Sequence, residues 1–296
     1  MALFMNLYYN TISRQNNMSE NHKNGGTIMD NYPLVVADLD GTLLTDEKKV
    51  SKENLIAINK YREKGGMFTI ATGRSQKTVL PLLRILNIDM PMILLNGGEL
   101  FDPKKGVIYS NYVDETIFEQ VIDLFIDSDF GIMTFYKDKI FIPDFKPAHE
   151  LYLEKQRDVK LEQLEEIKKF NKVNKILLVG NVKKARDMLL SLEQKIKKDI
   201  NFVQTDDVYM DVLPNNISKG EGLKNLCEFL KIPLKKVVAV GDQMNDLSMI
   251  KIAGYGVAMG NAKQEVKKWA KYTTKDNNNN GIAHLLYEIM EKYSPI

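Results

Sequence analysis

The residues of this chain best suited to chemistry are two groups of acids far apart in sequence. Asp38 and Asp40 stand in Asp38-Leu39-Asp40-Gly41-Thr42, and Asp242 and Asp246 in Gly241-Asp242-Gln243-Met244-Asn245-Asp246. Each group follows a stretch that reads as a buried strand, 34–37 or 236–240. Side chains at i and i+2 of an extended chain share a face, so Asp38 and Asp40 can converge while Leu39 turns to the core. Acids gathered this way repel, and one must hold a proton unless a divalent cation joins them. Thr72, Lys219 and Asn245 add a hydroxyl, an ammonium and an amide. Oxygen ligands of this kind suit magnesium shared with a substrate phosphate, and the other three groups suit phosphoryl oxygens. A lone D-x-D tripeptide is ordinarily a solvated loop, so the weight lies on the set. An EF-hand does not fit, because Gly41 comes too early and an apolar strand leads in.

The elements that must position these groups read as strands alternating with helices. After the strand 34–37, Ser51 is placed to cap a helix carrying Leu55, Ile58 and Tyr61, which ends at Gly65-Gly66. A strand over 67–71 runs into Thr72-Gly73-Arg74, a helix over 76–86 contains Pro81, and a strand over 92–95 ends in Asn96-Gly97-Gly98. This alternation predicts parallel strands with right-handed crossovers, their polar tips on one edge. The middle of the chain changes character: a hairpin over 101–107, a helix with the stripe Phe118, Val121, Ile122 and Phe125, and strands over 131–136 and 139–142. Further on come a strand over 172–179, a helix over 183–196, and strands over 202–205 and 208–212. Ser218 then caps a helix bearing Leu223, Leu226 and Leu230, and Lys219 occupies its first turn, where a helix prefers an acid; that placement hints at an anionic ligand. Gly254 to Gly260 lacks the G-x-G-x-x-G spacing of a dinucleotide loop and reads as turn, strand, turn. Asn277 to Asn280 reads as a surface loop before the last helix.

Composition narrows the classes. With 296 residues, 44% hydrophobic and 27% charged, the chain can form two globular domains. A net charge of +2 argues against a dedicated nucleic-acid surface. The single cysteine, Cys227, lies in an apolar helical stripe, and His22, His149 and His284 have no ligand spacing, so thiol, zinc and triad chemistry get no support. No apolar run is long enough to cross a membrane. Residues 1–31, rich in Asn, Ser and Gly further in, are expected to be a disordered leader, and the protein to be cytoplasmic.

Taken together, D-x-D-G-T, the strand-ending Thr72, the helix-opening Lys219 and G-D-x-x-N-D resemble, in order, the four motifs of the haloacid dehalogenase (HAD) superfamily of phosphohydrolases. Thr72-Gly73-Arg74, the Asn96-Gly97 pair and the large insertion resemble its Cof-type (IIB) branch, over about residues 32–290. The resemblance implies a Rossmann-like three-layer α/β/α core with a mainly parallel sheet, formed by 32–97 and 213–296, and an α+β cap domain over 98–212. It also implies a magnesium-dependent phosphatase acting on small phosphorylated metabolites, sugar phosphates foremost, with FMN and pyridoxal phosphate as further candidates. Asp38 would be the nucleophile and Asp40 the acid and base; Asp38, the Asp40 carbonyl, Asp242 and Asp246 would hold Mg2+. Thr72, Gly73, Lys219 and Asn245 would bind the phosphoryl group, and Arg74 and Asn96 would contact substrate or hinge. From the cap, Tyr136, Lys137, Asp138, His149 and Tyr209 are candidates to read the leaving group. A phosphomutase on the same fold would return the phosphate to its substrate, and isomerised product would reveal it. A non-catalytic metabolite-binding protein could lose the nucleophile or the acid, and neither is lost. A glycosyltransferase would leave Lys219 and the second acid cluster without a task, and a phospho-accepting receiver domain is far shorter.

Overall fold

The computed structural model describes residues 33–155, 159–164, 169–192, 196 and 198–292; the expected leader 1–31 lies outside them. Strand β1 (Leu34–Ala37) is buried at all four positions. Helix α1 (Lys52–Glu63) begins where the Ser51 side chain accepts the Asn54 N–H, at 3.1 Å, and is followed by β2 (Met67–Ile70). Then come α2 (Gln76–Leu86), with Pro81 inside it, β3 (Met92–Leu94), and the hairpin β4 (Glu99–Asp102) and β5 (Gly106–Ser110). The middle of the chain supplies β6 (Val113–Asp114), α3 (Glu115–Phe125), β7 (Gly131–Tyr136), β8 (Lys139–Ile142), α4 (Ala148–Lys155), β9 (Glu162–Gln163) and β10 (Lys172–Val173). It continues with β11 (Lys175–Val179), α5 (Val182–Leu190), β12 (Ile200–Asp206) and β13 (Tyr209–Pro214). The chain closes with α6 (Lys219–Leu230), β14 (Val237–Gly241), α7 (Leu247–Ile252), β15 (Tyr255–Ala258), α8 (Gln264–Lys267), β16 (Tyr272–Thr273) and α9 (Gly281–Lys292).

Five strands form a parallel sheet in the order β16-β15-β14-β1-β2. From β1 the chain moves to β2 on one side and later reaches β14 on the other. Right-handed crossovers in opposite directions put the intervening helices on opposite faces, and two helix pairs form, α1 with α9 and α6 with α7. The crevice at the carboxyl end of β1 is therefore a topological switch point, the usual ligand position in such sheets. Strand β3 departs from the expected third parallel strand. It meets the sheet at one parallel bridge, Ala71 with Ile93, and pairs antiparallel with β4. Leu95 and Asn96, both at positive φ (52° and 56°), turn the chain back on itself there.

A second sheet, β12-β13-β11-β7-β8-β9, is antiparallel except for β8 with β9. Helix α3 buries Phe118, Val121, Ile122 and Phe125 against it, a stripe that contributes about 1.5–3 kcal/mol per side chain. The β4–β5 hairpin, within the predicted insertion 98–212, instead pairs with β3, and Leu100 and Phe101 join the apolar cluster of β1 and β14. The expected strand 172–179 is split at Asn174, whose side chain turns aside to Ser110 Oγ (2.7 Å) and the Lys137 N–H (2.7 Å). Helix α5 ends at Leu190, earlier than expected, with Ser191 as its C-cap. Asn277 is buried rather than in a surface loop; its amide donates to Leu44 O and Asp46 Oδ1, both at 3.0 Å, tying the last helix to the loop after β1.

Candidate active site

Asp38 and Asp40 leave the end of β1, Thr72 follows β2, and Asp242 to Asp246 follow β14, three adjacent strands of one sheet. Gly41 closes the turn at φ +80°, and a Cβ there would lie 2.6 Å from Asp242 Oδ2. Only glycine allows both that backbone and that approach. Thr42 Oγ1 donates to Asp242 Oδ1 at 2.8 Å, so the first motif orients an acid of the last. Gly97, at φ +101°, sits where a Cβ would be 2.0 Å from Ser218 O, which lets α6 bring Lys219 into the site.

Lys219 is wholly buried, and its Nζ stands 2.5 Å from Asp38 Oδ1 and 2.6 Å from Asp246 Oδ1. Asp246 Oδ2 accepts the N–H groups of Asp242 (2.8 Å) and Gln243 (2.9 Å). Asp38, Asp242 and Asp246 offer ligand oxygens within 4.8 Å of one another, all buried. Three carboxylates thus face one ammonium. Burial, then the Asp246 and Asp242 charges, push the Asp38 carboxyl well up against the pull of Lys219. Burial and Asp246 raise Asp242 to about 7. Burial alone would lower Lys219, but Asp246 and Asp38 outweigh it and hold the ammonium charged. The excess negative charge on all-oxygen donors fits a divalent cation, which favours the ionised acids.

Asp40 is set apart from that triad. Arg74 grips it with Nε and Nη2, both at 2.7 Å, and Lys48 Nζ adds a contact at 2.8 Å. Burial would raise its carboxyl, but the two cations overcome this and hold it well below the usual range. Thr72 Oγ1 accepts the Arg74 N–H at 3.1 Å, which leaves its own hydrogen to donate. Asn245 Nδ2 donates to Asn96 Oδ1 at 3.0 Å.

A cavity of about 100 Å³ lies over these groups. Asp38, Asp40, Thr72, Gly73, Arg74 and Asn245 line it from the core strands, while Asn96 stands behind Asn245. Phe135, Tyr152, Lys175, Leu177, Tyr209 and Asp211 line it from the second sheet and α4. Of the leaving-group candidates only Tyr209 is there. Tyr136, Lys137 and Asp138 sit at the β7–β8 turn, and His149 is buried in α4 between Ile132 O and Lys146, a structural contact. Lys175 and Asp211 escaped the reading, although a lone charge in an otherwise apolar strand was a visible signal. Cys227 packs in the core, where burial pushes its thiol to about 12.

The family model for haloacid dehalogenase-like hydrolases matches residues 35–286. The 5-amino-6-(5-phospho-D-ribitylamino)uracil phosphatase YwtE of Bacillus subtilis is 28% identical over 280 residues, spanning 86% of this chain and 97% of its own. A haloacid dehalogenase-like hydrolase from Bacteroides thetaiotaomicron superposes with a TM-score of 0.79 at 29% identity, over 87% of this chain and 99% of that one. A HAD subclass IIB sugar phosphatase shares the fold, with a TM-score of 0.77 at 23% identity over 86% of this chain and 98% of its own. No helix among the described residues is long and apolar enough to cross a membrane. With the motifs gathered at one sheet edge beneath an inserted sheet, the chain belongs to the haloacid dehalogenase-like hydrolases, in their Cof-type arrangement, and is a phosphoric monoester hydrolase.

Proposed function

We propose that the protein is a magnesium-dependent phosphatase of small phosphate monoesters, sugar phosphates foremost, working through an aspartyl-phosphate on Asp38. The observation that carries this reading is the buried meeting of Asp38 with Lys219, Asp242 and Asp246, with Asp38 lining a small cavity. Mg2+, held by Asp38, the Asp40 carbonyl, Asp242 and Asp246, would supply charge neutralisation to the phosphoryl oxygens. Lys219 takes one oxygen of Asp38 and leaves the other to attack phosphorus. As that O–P bond forms, the ester P–O bond breaks and the leaving oxygen takes a proton from Asp40. Asp40 then removes a proton from water, whose oxygen displaces Asp38 and releases inorganic phosphate. Thr72, Gly73, Lys219 and Asn245 hold the phosphoryl oxygens.

Asp40 can be protonated only once Arg74 and Lys48 loosen their hold. An arriving phosphoryl dianion competes for both cations, so substrate itself prepares the acid. Residues 98–212, less the hairpin that pairs with β3, act as the cap that supplies leaving-group contacts and keeps out water. A cavity of about 100 Å³ is small beside the roughly 300–1,000 Å³ of pockets for drug-sized ligands. That size favours a sugar phosphate over FMN. The test is a panel of phosphorylated metabolites with magnesium and with chelator. Turnover of sugar phosphates that stops with chelator supports the reading; turnover indifferent to chelator, or none by the intact chain, ends it.

A further inference from the structure

We propose that Lys175 and Asp211, both on the inserted sheet, are positioning residues for the phosphate site. Their ion pair fixes the direction of a hydrogen-bond relay that runs through Asn96 to Asn245. The inference deepens the phosphatase reading above and rests on it.

Lys175 Nζ lies 2.9 and 3.0 Å from the two oxygens of Asp211 and 3.1 Å from Gly73 O. Both side chains are almost wholly buried. A lysine has three N–H donors and no acceptor, and here the three contacts occupy all of them. Held in this way, Asp211 presents both of its oxygens as acceptors, so Asn96 can meet it only as a donor. Asn96 Nδ2 does so, at 2.7 Å from Asp211 Oδ2. Its Oδ1 must then face the other way, where it receives Asn245 Nδ2 at 3.0 Å.

The orientation of the Asn245 amide follows from that chain. One Nδ2 hydrogen goes to Asn96, and the same nitrogen carries a second for a phosphoryl oxygen. Asn245 Oδ1 is left buried with no hydrogen-bond partner. Leaving such an acceptor unsatisfied is costly, and an amide free to choose would turn over. The relay prevents it. Asn96 is anchored independently: its backbone is left-handed (φ 56°, ψ 28°) and its N–H donates to Thr72 O at 3.0 Å. Lys175 also grips the neighbouring Gly73 carbonyl. The inserted sheet thus sets both the Thr72-Gly73 turn and the amide of Asn245, and the phosphoryl subsite is complete only when that sheet is seated.

The test compares wild type, Asp211→Asn, Lys175→Met, Asn245→Ala and the Asp211→Asn/Asn245→Ala double variant, all loaded with Mg2+. Inorganic phosphate affinity is measured by calorimetry, with kcat and KM for an aryl phosphate alongside. Asp211→Asn and Lys175→Met should each weaken phosphate binding about tenfold or more, and Asp211→Asn should add nothing once Asn245 is alanine. Independent, multiplying losses in the double variant would overturn the relay, as would wild-type phosphate affinity in either single variant. Should Asp211→Asn fail to fold, the same cycle built on Asn96→Ala decides the matter, because Asn96 stands between Asp211 and Asn245 and does not line the cavity. A wild-type chain that binds phosphate but hydrolyses no ester would defeat the phosphatase reading alone, because the phosphate-binding cycle does not depend on turnover.

Discussion

Two buried lysine–aspartate clusters reach the cavity, one through Asp38 and the other through Lys175 and Asp211, and they differ in charge balance. In the core, Lys219 confronts Asp38, Asp242 and Asp246, and burial together with the excess of acid pushes the Asp38 and Asp242 carboxyls upward. In the inserted sheet Lys175 is matched to one acid, Asp211, with the remaining oxygen and amide contacts satisfied around it. A balanced buried pair holds geometry, whereas an over-supplied one awaits a cation and keeps a carboxylate free for chemistry. Burial alone therefore does not separate a reactive cluster from a positioning one. The count of unmatched charges does.

The largest expected effect tests the unbalanced cluster. Asp38→Asn should lower turnover of an aryl phosphate by more than about a thousandfold while leaving the melting temperature unchanged or higher, since it removes one of three crowded charges; full activity would break the contrast. Lys219→Met strands three buried carboxylates and should destabilise the metal-free protein by about 3–5 kcal/mol in urea titration, a loss that added magnesium partly restores. Lys175→Met should be milder, because Asp211 keeps its bond from Asn96. An equal loss in the two lysine variants would show that the clusters do not differ.

The pH dependence sharpens the same contrast. Asp242 binds its proton more tightly folded (about 7) than unfolded (3.8), so between those values the native state carries the extra proton. The melting temperature of metal-free protein should fall as pH rises from about 4 to about 7. With magnesium present the slope should flatten or reverse, because the cation replaces the proton. Calorimetric scans with and without chelator read both. The smallest effect belongs to an exposed pair: Lys104→Ala removes the contact to Asp89 at 2.9 Å and should leave melting and turnover unchanged.

Much of the site was legible because its parts lie in short, local patterns. Asp38 and Asp40 share a face by strand periodicity, Ser218 announces the helix that carries Lys219, and the apolar runs 34–37 and 237–240 announce the strands. Helix α4 was missed because Ala148 to Lys155 has only a weak apolar stripe, although it brings Tyr152 to the cavity. The Asp40–Arg74 pairing was equally hidden, since nothing in either segment says that the two meet.

What the sequence determined by itself was the inventory: which acids, hydroxyls and amines stand at strand ends and helix starts, each set by residues a few positions away. Which of them meet was left to the tertiary structure. Lys175 and Asp211 become neighbours only through the register of β11 against β13, where Leu177 lies opposite Asp211. Asn96 reaches Asp211 only because the chain reverses at a left-handed turn beneath that sheet. Strand register and domain seating depend on the summed packing of residues distant in sequence, and no local spacing encodes that sum.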